Sequence, residues 1–180
     1  MNSLLSYPVC EETLSFSSLR ALFLVRDRHD EALRKEKDRI IAQLCVDLIE
    51  KYGWRLSQIK IGEAIPVLTS SGWDYPEIDI LAGNGAGPVL LIEALPRDAY
   101  AEHYVGAMAR LFHAAPVVQK IHPSSPLFLI CHTRWIEPGV LEEKVIREKT
   151  AVVEYAKFSD LESWDRAGRP ATHMIPLSED

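Results

Sequence analysis

Between residues 31 and 52, apolar side chains recur at three- and four-residue intervals: Leu33, Ile40, Ile41, Leu44, Cys45, Leu48, Ile49 and Tyr52. That spacing predicts one long amphipathic helix, with Asp30 placed to cap its start and Gly53 to close its end. Over residues 56–68 the period shortens to two, with Ile59, Ile61, Ile65 and Val67 apolar, and a strand is expected whose regularity Pro66 limits. Two apolar runs, 78–82 and 89–94, then flank a Gly/Asn-rich stretch, the pattern of a β-hairpin with a slightly long turn. Asp98 can cap a second helix running to about residue 115, with Tyr100, Tyr104, Ala107, Met108 and Leu111 on one face. The apolar run 127–131 reads as a parallel partner strand, which needs that helix as its crossover. Further on, the pattern predicts a charged helix at 140–149, a strand at 151–156 and a short helix around Leu161. Residues 1–15 lack periodicity and read as a loop or arm, while 17–26 fit a strand and a short helix equally.

A chain of 180 residues holds one domain with a sizeable core, and 47% hydrophobic with 26% charged residues is an ordinary soluble composition. No apolar run approaches the length of a bilayer span and the start lacks a secretory pattern, so a cytoplasmic protein with no membrane partner is expected. Cys10, Cys45 and Cys131 are few, odd in number and widely spaced, which argues against a disulfide framework and against structural zinc. The net charge of -6 is not that of a strongly DNA-binding domain. From Gly62 to Pro96 there is no Lys or Arg, whereas Glu63, Asp74, Glu77, Asp79 and Glu93 are acidic. Such a stretch repels a phosphodiester unless cations sit among its carboxylates, which fits a metal site and equally an acidic surface with no ligand.

Two of those acids interrupt apolar runs. Asp79 lies between two isoleucines, and Glu93 follows four aliphatic residues. An isolated carboxylate in a core is expensive, so two on paired strands point to a common purpose, and a divalent metal is the usual one.

The order Pro76-x-x-Asp79, hairpin, Ile92-Glu93 resembles the core motif of the PD-(D/E)XK nucleases, in the form found at the N-terminus of type I restriction enzyme R subunits. The resemblance covers roughly residues 30–133. It implies an α/β fold of restriction endonuclease-like type, a mixed central sheet flanked by helices in the order α-β-β-β-α-β. It also implies an N-terminal arm at 1–29, a nuclease-like core at 30–135 and a C-terminal extension at 136–180. Asp79 and Glu93 match the acids that hold Mg²⁺ or Mn²⁺ in that family, and the carbonyl of Ala94 is a further metal ligand if the hairpin forms. The opening helix of the family often adds a glutamate: Glu36 is the first candidate and Glu31 the second. Both lie in or beside the charged run Arg34-Lys35-Glu36-Lys37-Asp38-Arg39, whose plainer reading is a solvated helix face.

Leu95 stands where the family carries a catalytic lysine, two residues after the Glu. Lys60, on the preceding strand, and Arg97 are the substitute cations within reach in sequence, although an exposed strand-end lysine is the commoner role of a residue like Lys60. Trp73 and Tyr75 either cover the sheet edge or stack on a base. His103, His113, His122 and His132 fit no helical ligand pair. The resemblance therefore implies a Mg²⁺-dependent DNA endonuclease with a degenerate site, and the absence of a strong basic patch suggests that any work on DNA is done as a homodimer or with a helper subunit. The alternative is a nuclease-fold protein that has lost catalysis and serves in binding or assembly.

Overall fold

A computed structural model describes residues 6–9, 12–15, 31–83, 87–138 and 144–178. Five strands build its central mixed sheet: β3 (Ile59–Ala64), β6 (Glu77–Ala82), β7 (Val89–Ala94), β8 (Leu127–Pro138) and β9 (Lys144–Glu154), side by side in that order. Two small hairpins are paired separately from it, β1 (Ser6–Val9) with β2 (Glu12–Ser15), and β4 (Val67–Thr69) with β5 (Gly72–Asp74). Neighbours in the main sheet run antiparallel except β7 and β8, which are parallel. A parallel pair cannot be closed by a tight turn, and the connection here is α2 (Arg97–Ile121), a helix long enough to carry the chain back to the starting edge.

The sheet is covered on both faces. On one lies α2, whose Ala107, Met108, Leu111, Ala114 and Ala115 pack with Leu91, Leu129 and Val153, joined by Trp164 from the short helix α3 (Leu161–Arg166). On the other lies α1 (Glu31–Glu50), whose Ile40, Ile41, Leu44 and Leu48 pack with Leu90, Ile92, Ile130 and Val152. Strand β7 is buried at all six positions, as a central strand with helices on both faces must be. The tail returns across the α1 side: Thr172 bridges Val152, Ser178 donates to the carbonyl of Tyr52, and the Trp54 indole donates to that of Pro176 at 3.4 Å.

The helix at 31–50, the hairpin, the crossover helix and the strand from 127 follow the hydrophobic pattern. Several expectations need correction. The strand expected over 56–68 is divided: Leu56–Gln58 form a 3-10 turn, β3 ends at Ala64, and Val67–Thr69 leave to pair with β5. The crossover helix runs on to Ile121 despite Pro116, and β8 continues to Pro138. Where a charged helix was expected at 140–149, the described part, from Lys144, is strand β9, paired with β8 residue by residue. Charged residues interspersed with Val145, Ile146 and Ala151 suit a two-stranded ribbon as well as a helix, and pairing to β8 decides it. Two hairpin strands occupy part of the arm expected at 1–15. The segment 17–26, Cys10 and the proposed cap Asp30 lie outside the described residues.

Cys45 and Cys131 are free and buried, and burial pushes each thiol up to about 12, which leaves them as inert core residues. No helix among the described residues is long and apolar enough to cross a membrane.

Candidate functional site

Asp79 and Glu93 meet where the β6–β7 ladder gives out. Its paired residues are Ile80 with Ile92, Leu81 with Leu91 and Ala82 with Leu90. One step further the same register sets Asp79 against Glu93, and there Asp79 Oδ2 accepts the N–H of Ala94 at 2.8 Å. On the far side of β6, Gly62 holds a positive φ of 67° between the pairs Ile61–Ile80 and Glu63–Ile78. Across this point the alternation of faces slips: Ile78 packs on the α2 side and Ile80 on the α1 side, although residues two apart in a regular strand share a face. Both acids are almost wholly buried, Asp79 at 3% and Glu93 at 1% exposure.

Each acid is met by a cation from a different helix. Lys37 Nζ, from α1, stands 2.8 Å from Asp79 Oδ1 and 3.8 Å from Glu93 Oε2. Arg110, from α2, grips Glu93 with two parallel bonds, Nε to Oε1 at 3.2 Å and Nη2 to Oε2 at 2.9 Å. Two carboxylates and two cations make the cluster formally neutral. Burial nevertheless holds the Glu93 carboxyl above its ordinary range; the Arg110 bonds oppose that shift and the Asp79 charge adds to it. The bonds to Glu93 in turn raise the Arg110 guanidinium.

Ala94 touches the cluster through its amide. Glu36 is engaged elsewhere: its Oε1 accepts the backbone N–H of Arg97 at 3.1 Å, which ties α1 to the first turn of α2. The side chain of Glu31 lies outside the described residues. Lys60 is directed to Glu63, at 3.6 Å, with most of its side chain in solvent. The Arg97 guanidinium lies over the Trp135 ring, 5.1 Å from its centroid, and 3.7 Å from Glu137. Glu36, Arg97, Arg134 and Trp135 line a cavity of about 480 Å³. Trp73 and Tyr75 are largely exposed. His132 is buried on the α1 side, its Nδ1 2.8 Å from Thr150 Oγ1 and its Nε2 without a partner.

Lys37 and Arg110 were missed by sequence reasoning, and each carried a signal. On α1, Leu33, Lys37, Ile40 and Leu44 follow one another at helical spacing, so Lys37 occupies a position of the apolar stripe and not the solvated face of its charged run. On α2, Arg110 falls between Ala107 and Ala114 in the same way. A cation on a buried stripe needs a buried anion, and the two candidate anions were already apparent.

No protein-family model matches this chain, and no curated protein matches it.

Proposed function

We propose that the chain is a metal-dependent phosphodiesterase acting on DNA, a restriction-related nuclease of the PD-(D/E)XK kind built on Asp79 and Glu93. The observation that carries this reading is that both buried carboxylates reach one cationic point, the ammonium of Lys37, at the open end of the hairpin. The element order also fits: an opening helix, three antiparallel neighbours β3, β6 and β7, a crossover helix and a parallel strand.

The donors suit Mg²⁺ or Mn²⁺. Mg²⁺ binds through one or two carboxylates and keeps several waters, so a pair of acids suffices; no group of three or more His, Cys, Asp and Glu is gathered among the described residues. Asp79 and Glu93 would hold the ion, with the Ala94 carbonyl adjoining them. Once bound, such an ion polarises the phosphate and lowers the pKa of a bound water. The chain's own part is preorganisation: the Ala94 amide fixes the Asp79 carboxylate, Arg110 fixes that of Glu93, and burial keeps both fields unscreened. In the hydrolysis, a bond forms from a water oxygen to phosphorus as the bond to one sugar oxygen breaks. The water gives up a proton to solvent, and the departing oxygen takes one from solvent.

One observation favours a second reading. Arg110 engages both oxygens of Glu93, as a permanent ion pair does. On that reading the fold is nuclease-like, the cluster is structural, and the protein serves in binding or assembly.

Calorimetric titration with Mn²⁺, on the native chain and on Asp79→Ala with Glu93→Ala, decides between them. Saturable binding that the double variant loses, with nicking of supercoiled plasmid in Mn²⁺, supports the phosphodiesterase. Identical flat traces remove it.

A further inference from the structure

We infer that Lys37 does the work of the lysine absent from position 95, and that in the metal-free protein its ammonium stands where the metal enters. This rests on the phosphodiesterase reading above and assigns it a catalytic cation from α1.

Position 95 cannot supply that cation. Leu95 is buried with the α2-side core, and its backbone N–H is taken by the carbonyl of His132 at 2.9 Å. The other basic side chains near the motif are committed: Lys60 to Glu63, Arg97 to Trp135 and Glu137, and Arg110 to both oxygens of Glu93. Lys37 is differently held. Its ammonium touches both acids through single contacts, one close and one long, on a flexible stem. Its side chain is 30% exposed where those of Asp79 and Glu93 are 4% and 1% exposed, so it stands with Arg110, 45% exposed, between the acids and solvent. The root of the stem is fixed, because the neighbouring Glu36 binds the Arg97 amide and sets the height of α1 against the end of β7.

Charge then dictates what happens when a divalent ion arrives. The two acids are already balanced by Lys37 and Arg110, and a second cation cannot share the contact point of the first. Arg110 is pinned by two bonds, so Lys37 is the group that steps aside, toward solvent, the side from which a phosphate and its attacking water would approach. There the ammonium donates to the water oxygen and to a non-bridging phosphate oxygen, holding the nucleophile and offsetting the charge that builds in the transition state. Lys37 therefore opposes metal binding and promotes turnover. A purely structural lysine has no reason to do both.

The experiment compares the native chain with Lys37→Met and Lys37→Arg by Mn²⁺ calorimetry and plasmid nicking, after thermal melts establish that each is folded. Lys37→Met is expected to bind Mn²⁺ about tenfold more tightly, since removing one adjacent unit charge has an effect of that order. It is expected to nick about 100-fold more slowly. Lys37→Arg keeps the native affinity and part of the rate. Where Lys37→Met fails to fold, Lys37→Gln, which retains a donor toward Asp79, carries the same comparison. Undiminished nicking by the folded variant, or weaker Mn²⁺ binding than native, overturns the role of Lys37 and leaves the metal site standing. Absence of saturable Mn²⁺ binding in the native chain and the variants alike overturns the metal site itself.

Discussion

The Asp79 carboxylate takes the N–H of Ala94 at 2.8 Å, a hydrogen bond that a regular hairpin would have made between two backbones. The side chain thus completes the sheet and ends the ladder at once, and its second oxygen is left to face Lys37. Structure and charge at this residue can be separated. Asp79→Asn keeps an acceptor for Ala94 and loses only the ion pair with Lys37, whose side chain is 30% exposed. Asp79→Ala leaves a buried amide without an acceptor, an added cost of roughly 1–3 kcal/mol. Urea denaturation should therefore rank native, Asn and Ala in falling order, with the larger step at Ala. Equal stability of the two variants would show that the amide finds another acceptor.

Arg110→Met tests the other half of the cluster. It leaves Glu93, 1% exposed, beside the Asp79 charge with Lys37 at 3.8 Å as the cation still paired to it. Removing one partner of a buried pair costs several kcal/mol, and because Arg110 itself is partly exposed we expect roughly 2–4 kcal/mol at pH 8. Burial already holds the Glu93 carboxyl above its ordinary value, and loss of the Arg110 bonds moves it further up. An acid whose folded pKa is raised binds its proton more readily in the folded state, so stability falls as pH rises through that window. The variant should be less impaired at pH 5 than at pH 8; a pH-independent loss would mean that Glu93 stays ionised throughout.

The fold was readable wherever burial imposes a period: both long helices, the hairpin and the strand after the crossover. It was not readable where pairing decides. Residues 144–149 carry Lys, Arg and Glu among apolar residues in a pattern that serves helix or ribbon, and only the partner strand β8 settles the matter. Asp79 and Glu93 announced themselves because a charge inside an apolar run has a stated cost. Lys37 was hidden by its neighbours, since five other charged residues surround it in sequence and helical phase alone sets it apart. Glu36 shows the reverse: the residue with the stronger expectation is turned to a backbone amide one helix away.

His132 gives the pH dependence of the other face. Burial, reinforced by the charge of Arg134, lowers it from 6.5 to about 4, so the folded protein keeps it neutral while the unfolded chain takes a proton near 6.5. Between those values the unfolded state holds more protons and stability falls as pH falls, by up to about 3 kcal/mol for a shift of this size. His132→Leu should flatten the stability profile between pH 6.5 and 4, at the expense of the contact with Thr150. Denaturation midpoints followed at half-unit steps of pH would show it, and a variant with the native slope would assign that slope to other groups.

Gly62 links the backbone to the acids. Its φ of 67° lies between the pairs on either side of Asp79, at the point where Ile78 and Ile80 part to opposite faces of the sheet. A side chain at that φ costs roughly 1–2 kcal/mol, and Asn tolerates it better than Ala. The chain can escape the strain by restoring a regular alternation through β3 and β6, which would carry Asp79 away from Glu93 and Lys37. Gly62→Ala should therefore lose stability by about that amount and weaken Mn²⁺ binding as well, whereas Gly62→Asn does less of both. A variant that is destabilised with unchanged Mn²⁺ affinity would mean that Asp79 is held by Ala94 alone and owes nothing to the glycine opposite.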